Sequence, residues 1–171
     1  MASKKKKQFG QVASLTTTLK NILQDYQPSQ LLSEQLQNAD DAGSTIFAVN
    51  LDTNSYSRER LASPLLADWQ GPALCCFADA EFRAEDLEAI CRIGEGSKQR
   101  EPTKTGQFGL GFNSCFHVTD LPLFFTGNKL AIFDPHASHG LDGCGALFES
   151  DDSSIADHMS SFAGSFPEYF D

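Results

Sequence analysis

A glycine-rich segment in the second half of the chain constrains its fold more than any other feature of the sequence. Gly106, Gly109 and Gly111 are spaced by three and two residues, which lets the backbone turn tightly and approach a ligand closely. The free N–H groups of a helix that begins there would face an anion, helped by the helix dipole. The segment is therefore predicted to bind phosphate, although a glycine-rich turn without a ligand is the alternative interpretation of the same residues.

The residues around these glycines exclude two better-known phosphate-binding motifs. A P-loop needs Lys and then Ser or Thr directly after its last glycine, and this chain has Phe112 there. The dinucleotide-binding fingerprint needs a strand followed by GxGxxG, and the segment lacks that order. Lys98, in the loop before the glycines, would add positive charge against a triphosphate. The other positions of the segment assigned to nucleotide binding are Gln107, Phe108 and Leu110.

A second candidate segment lies on a predicted helix. Glu34, Asn38 and Asp41 are spaced by four and three residues, so on a helix they project from one face. Asn38 would offer its carbonyl oxygen to Mg²⁺, a hard cation that prefers oxygen ligands. Glu34 would hold or deprotonate an attacking water. From the spacing alone, an ordinary solvated helix face is the commoner interpretation.

Asp79 is a third candidate, because it follows the apolar run from Leu74 to Phe77. A carboxylate at the end of a buried strand is well placed to accept a hydrogen bond from an exocyclic amine, such as that of adenine. An Asp that begins a turn is equally common, so this residue alone decides nothing.

Composition limits the partners of the chain. Its 171 residues suffice for one domain with one core, and 14 phenylalanines predict that this core is rich in Phe. The net charge is −10 although residues 4–7 are all lysine, so the body would repel a phosphate backbone and we expect no nucleic-acid partner. No apolar stretch approaches membrane-spanning length, so we expect no membrane partner.

Cysteine usage points to the compartment. The five cysteines show no CxxC spacing, and the chain shows no secretory signal. Reduced thiols in the cytoplasm are therefore predicted. Residues 1–8 are expected to be a disordered basic tail, and the run from Lys4 to Lys7 leaves the nucleus as an alternative.

Hydrophobic periodicity and turn residues predict an α+β chain of short elements. Helices are predicted over residues 11–26, 30–42, 84–91 and 108–116, and strands over residues 45–51, 73–77, 118–125 and 129–133. The second helix is expected to bury Leu31, Leu32 and Leu36, and the second strand to be buried on both faces. The pair Gly127-Asn128 suits a tight hairpin turn. Residues 52–71 are expected to form a surface loop, and no element is assigned beyond residue 134.

The three candidate segments in this order resemble the GHKL nucleotide-binding superfamily, which joins gyrase, the large heat-shock chaperone, histidine kinases and MutL. The pattern is Glu-x-x-x-Asn-Ala-x-Asp-Ala from Glu34, then Asp79, then Gly-x-Phe-Gly-x-Gly-Phe from Gly106. A fuller set of matches is similar to the sacsin-like domains within it. Those matches lie at residues 9–11, 36–42, 70–74, 106–114, 117–120 and 134–136.

The resemblance implies a Bergerat-type fold, a two-layer sandwich in which helices cover one face of a mixed, mainly antiparallel sheet. It implies ATP and Mg²⁺ as ligands, a single domain over residues 9–171 and a mobile lid over residues 92–105. By position, Glu34 would be the catalytic carboxylate, Asn38 the magnesium ligand and Asp79 the adenine-binding aspartate. The residues that would complete the nucleotide site are Asp41, Ser97, Lys98, Gly106, Gln107, Phe108, Gly109, Leu110, Gly111 and Phe112.

Two departures from the family pattern leave an alternative function open. The superfamily follows its adenine aspartate with Gly-x-Gly, whereas this chain has Ala80-Glu81. Sacsin-like domains continue into a strand with a Gly-Thr-x-Phe-Arg segment, so we expect the domain to lack its last strand.

The leading hypothesis is a weak, Mg²⁺-dependent ATPase module that works with other domains of a larger chaperone-like assembly or with co-chaperones. The alternative is an interaction or scaffold module with a degraded nucleotide site, while histidine-kinase phosphotransfer fits poorly.

Overall fold

A computed structural model describes residues 14–25, 27–59, 61, 63–91 and 111–149 of the chain. The helices are α1 (Leu15–Asp25), α2 (Leu31–Asp41) and α3 (Ala84–Cys91), and the strands are β1 (Phe47–Asp52), β2 (Ala73–Ala78), β3 (Leu123–Thr126), β4 (Lys129–Phe133) and β5 (Gly145–Glu149). Within these ranges, 3₁₀ helices lie at Pro28–Gln30, Pro64–Trp69 and Phe112–His117. The predicted α+β class is confirmed. None of the helices in these ranges is long and apolar enough to span a membrane.

The strands form two small antiparallel sheets. β1 pairs with β2, so that Leu51 lies opposite Leu74, and β4 pairs with both β3 and β5. The β3–β4 hairpin turns at Gly127-Asn128 as predicted, and Gly127 has the positive φ of 53° that such a turn favours. β5 lies beyond residue 134, where periodicity assigned no element.

The core lies under the three-stranded sheet and is mainly aliphatic. Leu66, Leu121, Leu130 and Ile132 form its buried cluster. Leu66 belongs to the 3₁₀ helix Pro64–Trp69, so the prediction that residues 52–71 form only a surface loop is wrong. Phenylalanines form a second cluster of half-buried rings with centroids 5.0 to 6.0 Å apart, made by Phe82, Phe112, Phe124 and Phe133.

Two further elements differ from their predictions. β2 is not buried on both faces, because Leu74 is 42% exposed while the neighbouring Cys75 is buried. A strand in a two-stranded sheet has one face against the body and one toward solvent, which explains this alternation. The helix predicted over residues 108–116 is a 3₁₀ helix at Phe112–His117, and the start of the predicted range lies outside the described residues.

Candidate functional site

Helix α2 turns a partly polar stripe toward the body of the domain. Leu31 and Ala39 are buried on that stripe, and Gln35 and Asn38 lie between them at helical spacing. The helix lies against the 3₁₀ helix Phe112–His117.

The expectation that Leu32 and Leu36 are buried is wrong, since they are 44% and 52% exposed. Periodicity sets the angle between residues on a helix, but it leaves free the rotation of the helix about its own axis. Here that rotation directs two polar side chains inward and two leucines outward. An inversion of this kind is expected where function competes with packing.

A cavity of about 500 Å³ lies beside the inward face of α2. Its walls come from α2, from strand β2, from the 3₁₀ helix Phe112–His117 and from strand β3. Most of its lining side chains are apolar, and its volume lies within the range of small-molecule sites, about 300–1,000 Å³.

All three candidate segments reach this cavity. Asn38 lines it from α2, Ala78 and Ala80 line it on either side of Asp79, and Phe112 lines it directly after the glycine-rich segment. Segments that are far apart in sequence therefore converge on one concave site. Asp79 itself is not among the lining residues.

The carboxylate of Asp79 holds the beginning of β1 in place. Its Oδ1 accepts hydrogen bonds from the backbone N–H groups of Thr45, at 2.8 Å, and Ile46, at 3.0 Å. Its Oδ2 accepts a hydrogen bond from Thr45 Oγ1 at 2.6 Å. The Thr45 hydroxyl, followed by the Ile46 N–H, lowers the pKa of Asp79, so the group is ionised at neutral pH. The backbone N–H of Asp79 itself also lowers this pKa, so the carboxylate is held by the chain around it.

Glu34 and Gly111 bring the first and third candidate segments into contact. A Cβ built on Gly111 would collide with Oε2 of Glu34. The carboxylate therefore occupies the space that any other residue at position 111 would fill. Asp41, by contrast, is exposed at the end of α2 and does not line the cavity.

The end of α2 positions a residue that the sequence prediction did not include. Gly43 N donates to Asp40 O and Ser44 N donates to Ala39 O, both at 2.9 Å, which is the hydrogen-bond pair of a Schellman motif. Gly43 has φ +81° there, as the motif requires. The motif ends the helix and places Ser44 on the cavity wall.

Two polar side-chain atoms of residues that line the cavity have no hydrogen-bond partner among the residues that the structure describes. They are Nε2 of Gln35 and Oγ of Ser44, and both are buried. Sequence reasoning included neither residue in the site. Their one signal in the sequence is the position of Gln35 one turn from Ala39, on the stripe that proves to face inward.

Cys115 is one of the cysteines that line the cavity. Burial raises the pKa of Cys115 to about 12, so this thiol stays protonated at neutral pH. Since the thiolate is the nucleophilic form, Cys115 is a wall residue and does not contribute nucleophilic chemistry.

Part of the predicted site lies outside the described residues. That part is the lid over residues 92–105 with Ser97 and Lys98, and the positions Gly106, Gln107, Phe108, Gly109 and Leu110. Their assignment to nucleotide binding stays a prediction.

The geometry defines an α+β domain in which a partly polar helix face and the 3₁₀ helix Phe112–His117 meet at one cavity. Residues 12–170 match the sacsin domain family, and the chain belongs to that family. Human sacsin is 44% identical to it over 135 residues, which is 77% of this chain and 3% of the human protein. The chain therefore spans a very small part of that relative's length.

Proposed function

We propose that the chain is an ATP-binding module that hydrolyses ATP slowly with Mg²⁺, and that its fold is of the Bergerat type found in the GHKL superfamily. One observation carries the proposal. Helix α2 presents polar side chains to the cavity where packing alone would favour leucine, and the three candidate segments reach the same cavity. A mainly apolar cavity with a few buried polar groups is the usual form of a small-molecule site.

Asn38 lines the cavity, and Glu34 and Asp79 lie on segments that border it; together they suit a nucleotide with Mg²⁺. Asn38 would supply one oxygen ligand to the ion, with phosphates and water completing a shell of the kind Mg²⁺ prefers. When bound, the ion neutralises charge that develops on the phosphates. Glu34 would orient the attacking water and accept its proton, since its carboxylate lies beside Gly111. Asp79, whose side chain is exposed, would accept a hydrogen bond from the exocyclic amine of the base.

The proposal extends to the setting of the domain. Because the chain spans 3% of the human relative, other domains of a larger chaperone-related protein, or co-chaperones, are its proposed partners. Hydrolysis would then time a conformational change in a larger assembly, with the cytoplasm as the proposed compartment. Neither nucleic acid nor a membrane is a proposed partner.

A scaffold module is the second candidate function. Two observations favour it: Asp79 already accepts three hydrogen bonds from Thr45 and Ile46, and it does not line the cavity. The exposed Leu32 and Leu36 would suit a surface that another domain covers. In this second function the cavity is a degraded nucleotide site that no longer binds nucleotide.

Trp69 provides the experiment that separates the two functions. It is the one tryptophan of the chain, and it lines the cavity. Titration with ATP and Mg²⁺ should change its fluorescence saturably, while Mg²⁺ alone should not. At a hundredfold excess over Kd, ATP should stabilise the folded state by about 2.7 kcal/mol and raise Tm by about 5–10 °C.

Two Asp variants serve as the matched pair in that titration. Asp79→Asn should lose most of the response, because Asn keeps an oxygen for the backbone of Thr45 and Ile46 but cannot bind the amine as a carboxylate does. Asp40→Asn, on the exposed face of α2, should titrate like wild type. If wild type shows neither a fluorescence response nor a Tm shift, the nucleotide proposal fails and the scaffold function takes its place.

A further inference from the structure

The amide of Gln35 is the feature of the cavity that the roles assigned so far leave unused. Its Nε2 is buried and has no acceptor among the residues that the structure describes. The hydroxyl oxygen of Ser44 is also buried and has no hydrogen-bond partner among them. Leaving a buried donor unpaired is costly, so native proteins rarely do it without a reason. A leucine of similar size would fill the same space on α2 without that cost.

The position of these groups indicates which part of a nucleotide they would meet. The triphosphate carries the charge and must stay near water and near the turn at Gly111, because burying an uncompensated charge is far more costly than burying a neutral ring. The heteroaromatic base is the part that suits an apolar cavity. Gln35 and Ser44 line that cavity along with Leu31, Phe77 and Phe124.

We propose that Gln35 is a specificity-determining residue that donates a hydrogen bond from its side-chain amide to a ring nitrogen of the purine base, with the Ser44 hydroxyl as a second partner of the base. This inference rests on the proposed nucleotide-binding function and adds the residues that recognise the base. The ring nitrogens N1, N3 and N7 of adenine are acceptors, which is the chemistry that an amide N–H requires. In the proposed function Asp79, from the segment that borders the cavity, would accept from the base and Gln35 would donate to it, so the two residues would recognise opposite hydrogen-bonding groups.

The test compares Gln35→Leu with Gln37→Leu, which makes the same change on an exposed position of the same helix. Each variant and wild type are titrated with ATP and with its 1-deaza, 3-deaza and 7-deaza analogues, with Trp69 fluorescence as the readout. We expect Gln35→Leu to weaken ATP binding about tenfold or more, and Gln37→Leu to leave it unchanged. One deaza analogue, which lacks the ring nitrogen that Gln35 contacts, should bind wild type about as weakly as ATP binds Gln35→Leu. The affinity for that analogue should be the same in wild type and in Gln35→Leu.

Three results would overturn the inference. Gln35→Leu could bind ATP as tightly as wild type, or it could weaken all four ligands to the same extent, which would indicate a general structural effect. The melting temperature of the free Gln35→Leu protein could also fall well below wild type, which would show that the amide already has a protein partner. Absence of ATP binding in wild type is a different result, because it removes the nucleotide proposal itself and this inference with it.

Discussion

Position 111 requires glycine because the side chain of Glu34 occupies the space of a Cβ there, and not because the backbone needs the conformational freedom of glycine. Gly111 has φ −64° and ψ −38°, a helical conformation that any residue adopts. What excludes a side chain there is the carboxylate of Glu34, which occupies the position of the missing Cβ. The carboxylate is the far end of a flexible side chain, so it could move aside at little cost in stability. A substitution at Gly111 would therefore displace the candidate catalytic group and leave the fold largely intact.

We expect Gly111→Ala to reduce ATP turnover by about 10²-fold or more, within the range that general base catalysis contributes, with ATP affinity little changed. Glu34→Ala should likewise keep binding and abolish turnover. The double variant should be no slower than Glu34→Ala, since both changes remove the same group from the same place. Steady-state hydrolysis assays and urea unfolding of the four proteins measure this. Turnover at the wild-type rate in Glu34→Ala would show that the carboxylate has no catalytic role.

At the scale of the element, α2 is defined more by its orientation than by its composition. It carries Leu31, Leu32 and Leu36, of which the structure buries the first alone. Its inward stripe accommodates Gln35 and Asn38 because the cavity, and not a packed core, lies against that part of the helix. As a result, the helix buries fewer leucine side chains and places polar side chains at the candidate site.

This orientation predicts different costs for two identical substitutions. Leu31→Ala should lower the free energy of unfolding by about 2–5 kcal/mol, because it removes a buried side chain and leaves a cavity. Leu36→Ala should change it by less than about 0.5 kcal/mol, because that side chain is half exposed. Urea denaturation of both variants measures the difference. Equal large losses would mean that α2 buries both leucines, as the hydrophobic pattern alone predicts.

At the scale of the whole molecule, Asp134 connects segments that are distant in the chain. It is fully buried at the end of β4, and its backbone N–H donates to Cys144 O at 2.9 Å just before β5. Its Oδ2 accepts a hydrogen bond from His139 N at 2.7 Å, and His139 Nδ1 lies 3.0 Å from its Oδ1. The His139 ring in turn packs edge-on against Trp69, with centroids 5.3 Å apart.

The pKa of Asp134 makes global stability depend on pH. Burial by itself would raise this pKa, but the hydrogen bonds from His139 and the charge of its imidazole outweigh burial and hold the pKa below its usual value. The unfolded chain, with an Asp pKa of about 3.9, therefore binds more protons than the native state in acid. The stabilisation is present above that pH and is lost as the pH falls through the native pKa.

Asp134→Asn should lower the free energy of unfolding at neutral pH by about 1–3 kcal/mol, since it weakens a buried, charge-assisted set of hydrogen bonds. It should also make the decline of stability between about pH 5 and pH 2 shallower than in wild type. Urea unfolding across that range measures both effects. Asp142→Asn, an exposed position in the same loop, is the control and should retain the wild-type pH profile. A wild-type slope in Asp134→Asn would assign the acid sensitivity to other carboxylates.

The sequence predicted best those features that depend on interactions between residues close together in the chain. α3 begins and ends at the predicted residues, and the hairpin turns at Gly127-Asn128, because periodicity and turn chemistry are local. Leu66 was missed as a core residue because a short 3₁₀ helix has too few residues to show a period. β5 was missed for a similar reason, since a five-residue strand after a glycine-rich turn gives a weak alternation.

The sequence by itself determined the α+β class, the family and the three candidate segments, because these depend on residue types and spacings along the chain. Tertiary structure alone decided which face of α2 points inward, how Glu34 meets Gly111, and that Gln35 and Ser44 line the cavity. Spacing gives the angles between residues within a helix, whereas the rotation of that helix depends on what packs against it. Contacts between residues 34 and 111 likewise arise only when the chain between them closes, and no local pattern records that closure.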